Sequence, residues 1–212
     1  KNSRLTRVFM CNFFKLQSMS SLLQSYMPTP PPSNAKRLHH GPIVDLWQWE
    51  QEMFDGTTEI FECVTRQDTV AVIPFINPDT VLLTKQSQPH REPFFDFPGG
   101  RVDKGETHLD AAKRELEEET GSRAEHWMEW HNLNNNGMNR FDESLFIATG
   151  LHDGSGAHFD AGEKIELIPT PWANLKDMCL KRQLRQPNIM LAILAMHLDP
   201  EINARLKAFF KG

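Results

Sequence analysis

The amino-acid sequence predicts an α/β protein in which strands come first and helices come last. Runs of alternating apolar residues, which are typical of strands, begin at residue 43. A segment with a helical period and a capping pattern occupies residues 107–120, and apolar helical segments fill the chain from residue 170 onward. Because apolar faces need burial, we expect the helices to cover the sheet.

Length and composition suit one globular domain with a sizeable core, since 39% of the 212 residues are hydrophobic. Residues 1–44 carry six Lys or Arg and no acid, and the rest carries 17 basic and 28 acidic residues, which gives −11. The whole chain has a net charge of −5. This acidic balance argues against a nucleic-acid partner.

The three cysteines, Cys11, Cys63 and Cys179, are widely spaced and odd in number. We interpret them as reduced thiols of a cytoplasmic protein. None belongs to a CxxC pattern, which argues against a zinc site. The apolar run at residues 189–196 is too short to span a membrane, so we expect no membrane span.

We interpret residues 1–35 as a basic, proline-ending leader and linker that is poorly ordered. The stretch PTPPPS at residues 28–33 is expected to be extended. An organelle transit peptide and a surface-binding helix are the alternatives for the basic, acid-free start. Residues 36–68 are interpreted as N-terminal strands and residues 69–212 as the main domain.

Two strand pairs are predicted before the central helix. Residues 43–53 and 58–66 flank Asp55-Gly56, a turn dipeptide, and read as an antiparallel hairpin. Residues 69–76 and 81–85 form the second pair, in which Pro74 suggests an edge or a bulge.

The central helix has clear start and stop signals. Thr107 and Asp110 form a capping-box pattern, and Gly121 fits the left-handed position that ends a helix. The apolar stripe that must face the core consists of Leu109, Ala112 and Leu116.

Carboxylates border this buried stripe. Glu115 and Glu119 lie along one edge, Glu118 lies just beyond them, and Arg114 and Glu117 point elsewhere. Such carboxylates lose hydration and repel one another unless cations neutralise them, and oxygen ligands suit Mg²⁺ or Mn²⁺. The alternative is a solvated helix face, which is the usual meaning of such a charge run.

The later part of the chain is predicted to contain strands at residues 127–130, 141–150 and 164–167. The stretch NLNNNG at residues 132–137 is interpreted as a turn between the first two. The predicted helices then cover residues 170–182, residues 187–198 and a last segment capped by Asp199-Pro200.

The central segment resembles the Nudix box, the signature of hydrolases that cleave a nucleoside diphosphate linked to another moiety. The match covers every polar and glycine position of that pattern, which here reads Gly100, Glu106, Arg114, Glu115, Leu116, Glu118, Glu119 and Gly121. One position departs, because Ser122 stands where a bulky aliphatic residue is usual. The resemblance implies a Nudix-type α/β/α sandwich with a mixed sheet, preceded by an N-terminal antiparallel hairpin.

The resemblance also implies roles for individual residues. The metal ligands are expected to be Gly99 through its carbonyl, Glu115, Glu118 and Glu119, holding two or more Mg²⁺ or Mn²⁺ ions. Glu106 and Arg114 are expected to orient this set. Glu163, in a glycine-rich loop, is expected to be the general base, and Glu118 is the alternative.

Upstream residues resemble the ADP-ribose and nucleoside-diphosphate-sugar pyrophosphatases of the same family. Gln86 and Asp96 fit positions of that pattern, and Gln86 is expected to bind substrate, whereas Gln88 stands where an arginine is usual. Arg91 is interpreted either as the substitute for that arginine or as a surface residue. Asn135-Asn136-Gly137 replaces a Ser-Pro-Gly element, which argues against ADP-ribose as the sole substrate.

The resemblance implies Mg²⁺-dependent hydrolysis of a nucleoside diphosphate sugar to a nucleoside monophosphate and a sugar phosphate. The alternatives are another nucleotide substrate (a damaged triphosphate, a dinucleoside polyphosphate or an RNA cap) and a non-catalytic nucleotide sensor. A homodimer is also implied, with Trp47 and Trp49 of the N-terminal strands helping to bind a base across subunits.

Overall fold

The structure, a computed structural model, describes residues 31–89, 91–159 and 162–211, so most of the predicted leader lies outside it. Within these residues the chain forms ten strands and four helices. The strands are β1 Lys36–His40, β2 Val44–Glu52, β3 Thr58–Arg66, β4 Thr69–Asn77, β5 Thr80–Gln88, β6 Arg91–Asp96, β7 Gly99–Arg101, β8 Ser122–Asn136, β9 Asn139–Asp153 and β10 Lys164–Pro171. The helices are α1 His108–Thr120, α2 Trp172–Leu180, α3 Pro187–Leu198 and α4 Pro200–Phe209.

The strands form one mixed sheet in the order β1-β2-β3-β9-β4-β5-β10, with β6 beside β5, β7 beside β4 and β8 beside β9. The long strand β9 is its centre. It pairs antiparallel with β8, and it pairs in parallel first with the end of β3 and then with β4. The N-terminal hairpin is therefore continuous with the main sheet.

Both faces of the sheet are covered, as a sandwich requires. Because side chains alternate along a strand, β4 contributes to two cores: Ala71, Ile73 and Phe75 pack with the C-terminal helices. Val70 and Val72 pack on the other face against α1. The predicted α/β class with a mixed sheet is confirmed.

Helix α1 begins and ends as its sequence predicts. The hydroxyl of Thr107 accepts a hydrogen bond from the main-chain N–H of Asp110 at 3.1 Å, which satisfies one of the free N–H groups of the first turn. Gly121 ends the helix with φ 71° and donates its N–H to Glu117. Leu116 is fully buried, so truncation to Ala would cost about 2–5 kcal/mol.

One prediction about the strands is wrong in detail. Residues 132–136 belong to β8 rather than to a turn, because they pair with β9 along a hairpin that turns only at residues 137–138. Of the two alternatives for Pro74, the structure has the bulge: the register shifts between Phe75 and Asn77, whereas β4 is an interior strand. The hairpin at residues 43–66 forms as predicted.

Within the described residues no helix has the length and apolar character to cross a membrane. Cys63 and Cys179 are buried free thiols. Burial raises the pKa of both, that of Cys179 to about 11, so each remains a neutral thiol at physiological pH.

Candidate active site

Four glutamates border one cavity of about 360 Å³, which we name the acidic cavity. Three of them come from α1, and the fourth, Glu163, comes from the residues just before β10. Strand β7 contributes to the wall as well. The lining residues are Gly99, Gly100, Arg101, Asp103, Arg114, Glu115, Glu118, Glu119, His158, Phe159 and Glu163.

Arg114 holds two of these glutamates. Its Nη1 donates to Oε1 of Glu115 at 2.7 Å and to Oε2 of Glu118 at 3.0 Å, and its Nη2 donates to the main-chain oxygen of Arg101 at 2.9 Å. The helical projection directs Arg114 away from the acidic edge of α1. Its long side chain nevertheless reaches back, because a guanidinium on a flexible stem is not confined to the direction of its Cβ.

Glu106 orients Arg114 in turn. Its two oxygens accept hydrogen bonds from Nε and Nη2 of Arg114, both at 3.0 Å, and Oε2 also accepts the N–H of Asp103 at 3.1 Å. The guanidinium holds the pKa of Glu106 below its usual range, and Glu106 is the main cause of the raised pKa of Arg114. The bidentate pair therefore remains charged and fixes the arginine over the cavity.

Glu119 is the most buried of the four glutamates, with 6% of its surface exposed. Burial raises the pKa of Glu119 to about 9, and the negative charges of Glu115, Glu163 and Asp96 add to the effect. The amide of Gln86 donates to Glu119 Oε2 at 3.3 Å. Gln86 therefore contacts a predicted metal ligand rather than facing the cavity.

Gly100 allows α1 to approach β7 closely. A Cβ at this position would overlap the carboxylate of Glu115, so any larger residue would displace that carboxylate. Burial raises the pKa of Glu115, and the hydrogen bond from Arg114 opposes this. Gly100 of the family pattern thus makes space for Glu115 of the same pattern.

The donor set of the acidic cavity fits a hard divalent cation such as Mg²⁺ or Mn²⁺. Because burial raises the pKa of Glu115 and Glu119, a nearby cation would favour their ionised forms. Among the described residues, no three His, Cys, Asp or Glu side chains already converge as a metal site. Arg114 draws Glu115 and Glu118 towards itself, so these carboxylates would have to turn to bind a cation.

Glu163 lines the same cavity, although it lies outside α1. Its Oε1 accepts a hydrogen bond from the amide of Gln88 at 3.0 Å. The residue at the position where the family pattern usually has an arginine therefore binds the predicted general base. Sequence reasoning did not anticipate this contact, because the two residues lie 75 positions apart.

Three predicted substrate-binding residues lie away from the acidic cavity of their own chain. Arg91 is exposed on β6, where its guanidinium packs over the ring of Phe94 at 5.4 Å. On β2, Trp47 donates to the hydroxyl of Thr65 at 2.9 Å, and Trp49 is buried. The structure therefore brings the four glutamates, Arg114 and Glu106 together, and it does not bring these three residues to them.

Asp96 organises a second group of polar residues that the sequence did not reveal. It is 1% exposed, and its Oδ2 accepts Nε of Arg185 at 2.6 Å. The amide of Gln186 donates to the same carboxylate at 3.2 Å. Arg185 and Gln186 precede α3, and the only local signal is their position before Pro187, the first residue of the helix.

A family model described as the NUDIX domain matches residues 65–191. The "Methanol dehydrogenase activator" of Bacillus methanolicus is 32% identical over 137 residues, which are 63% of this chain and 74% of that protein. The "ADP-ribose pyrophosphatase" of Bacillus subtilis (strain 168) is 31% identical over 87 residues, 41% of this chain and 47% of that protein. The crystal structure of an ADP compounds hydrolase superposes with a TM-score of 0.68 at 18% identity, covering 82% of this chain and 95% of that one.

The matched segment covers more than half of the chain, including α1 and the β7 wall, and the chain belongs to the NUDIX family. The resemblance seen in the central segment of the sequence is thus confirmed. Fold and family together define a Nudix domain protein.

Proposed function

We propose that the protein hydrolyses the pyrophosphate of a nucleoside diphosphate sugar, of the ADP-ribose, ADP-sugar or GDP-sugar type, to a nucleoside monophosphate and a sugar phosphate. The observation that carries this proposal is the convergence of Glu115, Glu118, Glu119 and Glu163 on one cavity. Similarity to an ADP-ribose pyrophosphatase, together with the shared fold of an ADP compounds hydrolase, supports the substrate class.

In this proposal Glu115, Glu118, Glu119 and the main-chain carbonyl of Gly99 hold two or more Mg²⁺ or Mn²⁺ ions. When bound, such ions neutralise the diphosphate oxygens and lower the pKa of an attacking water. The deep burial of Glu119 supports this assignment, because an ionised carboxylate there needs a cationic partner. The amide of Gln86 fixes the orientation of that carboxylate.

Arg114 and Glu106 position the acidic set. The guanidinium contacts Glu115 and Glu118 at once, so it sets the directions of two proposed ligands. Glu106 in turn fixes the plane of the guanidinium through two hydrogen bonds. Residues that orient metal ligands in this way typically contribute about 10- to 100-fold to metal affinity or activity.

Glu163 is the proposed general base, a role typically worth about 10²- to 10⁴-fold in rate. Gln88 binds one of its two carboxylate oxygens, which orients the side chain at the cavity wall. Glu118 is the alternative base, because it lines the same cavity and is held there only by Arg114 among the described residues.

We further propose a homodimer that uses the N-terminal strands, residues 36–68. These strands expose several large apolar side chains, which marks a surface for association: Leu38, Ile43, Val44, Ile60 and Phe61. Trp47 and Trp49 would then help to bind a base across subunits, and Trp49, which is buried within its own chain, would have to become accessible to do so. A monomer in gel filtration that retains full activity would contradict this arrangement.

A cytoplasmic location is proposed as well. Its support is the pair of buried free cysteines, Cys63 and Cys179, because unpaired thiols are typical of a reducing compartment. The expected partner is a small nucleotide rather than a nucleic acid, in keeping with the net charge of −5.

The decisive experiment measures monophosphate release from a panel of nucleoside diphosphate sugars with Mg²⁺ or Mn²⁺. Glu119→Gln should remove nearly all turnover while the protein stays folded by circular dichroism. The matched control is Glu201→Gln, which alters an exposed glutamate on α4. Wild-type turnover in Glu119→Gln would refute the metal assignment, and tight binding of ADP-ribose without any Mg²⁺-dependent product would indicate a sensor.

A further inference from the structure

A second cavity, of about 330 Å³, adjoins the acidic cavity at strand β7. The two cavities share Gly99, Gly100 and Arg101. We name it the basic cavity, because three guanidinium groups face one carboxylate on its wall. Its polar lining consists of Arg66, Thr69, Arg101, Arg185, Glu143, Gln186 and Asn188. The volume lies within the range of small-molecule sites, about 300–1,000 Å³.

Two of the arginines keep their hydrogen-bond donors available. The guanidinium of Arg66 lies 4.6 Å from the centre of the Phe141 ring, a contact that orients it without using its N–H groups. Within the described residues, neither Arg66 nor Arg101 donates a side-chain hydrogen bond or forms an ion pair. A guanidinium carries five donors, so both are able to bind an anion.

Arg185 is fixed more rigidly. Its Nε binds the buried carboxylate of Asp96 at 2.6 Å, and its guanidinium also packs over the Phe94 ring at 5.0 Å. Only Nε is used in the ion pair, so the two terminal nitrogens remain for a ligand. A side chain held at its inner end by a buried acid is pre-organised to bind at its outer end.

The basic cavity has more positive than negative charge among its side chains. Three guanidinium groups stand against Glu143 on the wall and Asp96 behind it. Burial raises the pKa of Glu143, and Arg66 and Arg185 oppose this effect by their positive charge. In addition, Gln186, the residue before α3, gives its amide to Asp96 and no side chain caps the helix, so the first N–H groups of this 12-residue helix favour an anion nearby.

Arg101 is the only one of these arginines that also lines the acidic cavity, among the residues described. A diphosphate bound by metal ions in the acidic cavity would therefore lie close to Arg101. Of the two cavities, Arg66 and Arg185 line only the basic cavity, so they would lie beyond the diphosphate. A neutral sugar hydroxyl does not require two further cations. A phosphate group does suit them, because guanidinium binds phosphate through paired, charge-assisted hydrogen bonds.

We propose that the basic cavity binds a phosphomonoester that the substrate carries in addition to its diphosphate, and that Arg66 and Arg185 determine this specificity. The inference rests on the proposed function, because it assumes that the diphosphate lies in the acidic cavity. The substrate class is thereby narrowed to phosphorylated nucleoside diphosphate sugars.

The test compares three ligands: ADP-ribose, its 2′-phosphate and its 1″-phosphate. Calorimetry on the EDTA-treated wild-type protein should show at least one phosphorylated ligand binding about tenfold or more tightly than ADP-ribose, as expected for added charged hydrogen bonds. Arg66→Gln and Arg185→Gln should each lower this affinity ratio about tenfold, and Arg66→Lys, which keeps the charge, should retain part of it.

The matched control is Arg205→Gln, because Arg205 also packs over an aromatic ring, that of Trp130 at 4.3 Å, but lines neither cavity. Thermal unfolding checks each variant, and Arg66→Gln remains informative if Arg185→Gln destabilises the protein by leaving Asp96 buried and unpaired. Equal affinity for all three ligands would overturn the proposal, and so would an equal loss for all three in both arginine variants.

Hydrolysis by the wild-type protein with Mg²⁺ separates this proposal from the proposed function. An affinity ratio that persists while none of the three ligands is hydrolysed would support the basic cavity and contradict the pyrophosphatase assignment. Hydrolysis of all three at equal kcat/KM with equal affinities would support the pyrophosphatase and overturn the second inference.

Discussion

Among single residues, Arg114 connects the largest number of groups at the acidic cavity. It contacts Glu106, Glu115 and Glu118 through side-chain hydrogen bonds. Its charge thus stands in for a cation between carboxylates that would otherwise repel one another. The same side chain sets where these carboxylates point. A substitution of Glu106, which holds Arg114 in place, is therefore expected to affect the site without unfolding the protein.

Glu106→Gln tests this support. The amide keeps the size of the side chain but loses the charge and one acceptor, so the bidentate contact with Arg114 is lost. We expect turnover or Mg²⁺ affinity to fall about 10- to 100-fold, with little change in the unfolding temperature. Glu166→Gln, which alters an exposed glutamate on β10, is the control, and activity equal to wild type in Glu106→Gln would contradict the assigned role.

Sequence reasoning reached some of these residues and missed others for a physical reason. The spacing within one helix determines that Glu115 and Glu119 share an edge, so that part of the acidic cavity was predictable. The pair Arg185 and Asp96 joins residues 89 positions apart, and no local pattern encodes such a contact. Gln88 likewise appeared only as a departure from a pattern until its contact with Glu163 was seen.

Two half-buried histidines predict how stability changes with pH. Burial lowers the pKa of both His131 and His197, because it disfavours the charged imidazolium. In the unfolded chain a histidine takes up a proton near pH 6.5. Each histidine therefore contributes its full share of the folding free energy above about pH 6.5. That contribution is lost as the pH falls towards the lower pKa of the histidine in the folded protein.

We accordingly expect the wild-type protein to lose melting temperature relative to His197→Phe as the pH falls from 7 to 5. The difference between the two proteins isolates the histidine, because Glu119, whose pKa burial raises to about 9, acts in the opposite direction in both proteins. Phenylalanine preserves the stacking on Trp172, whose ring lies 4.5 Å from that of His197, and it cannot be protonated. His152→Phe, at an exposed position, is the control. Identical melting profiles for His197→Phe and wild type across this range would count against the assignment.

At the scale of elements, the end of α1 sets the position of the loop that follows β9. Gly121 adopts φ 71°, and a Cβ there would lie 3.0 Å from the main-chain nitrogen of Ala157. Gly154 and His158 also donate main-chain hydrogen bonds to the last turn and C-cap of the helix. The helix end and the loop that borders the acidic cavity are therefore one packed unit.

Gly121→Ala should destabilise this unit. A left-handed conformation costs an L-residue roughly 1–2 kcal/mol, and the close approach of Ala157 adds to that. We expect a lower unfolding temperature and, because the loop must shift, lower turnover as well. Gly137→Ala is the matched control, since a Cβ there meets open space, and equal stability of the two variants would contradict this account.

The elements also show how far local sequence signals extend. The caps of α1 were predictable because Thr107 and Gly121 act through their own neighbours. The asparagine-rich end of β8 was not, since asparagine is depleted in strands. Pairing with β9 overrides that preference along the end of β8. Such long-range pairing is not visible in a single stretch of sequence.

At the scale of the whole molecule, Mg²⁺ should stabilise the fold. A ligand present at 100 times its Kd adds about 2.7 kcal/mol, which raises the melting temperature of a domain of this size by about 5–10 °C. EDTA should reverse the shift, and Glu119→Gln should abolish it. An unchanged melting temperature of the wild-type protein at saturating Mg²⁺ would refute metal binding, independently of any activity.

Arg101 has a further consequence, because it forms a wall common to the acidic and basic cavities. A cation bound on one side and an anion bound on the other attract each other across this wall, so each should raise the affinity for the other. Thermodynamic linkage makes the two effects equal: the factor by which metal tightens nucleotide binding is the factor by which nucleotide tightens metal binding. Binding of metal in the acidic cavity and binding of the phosphate group in the basic cavity would then be cooperative.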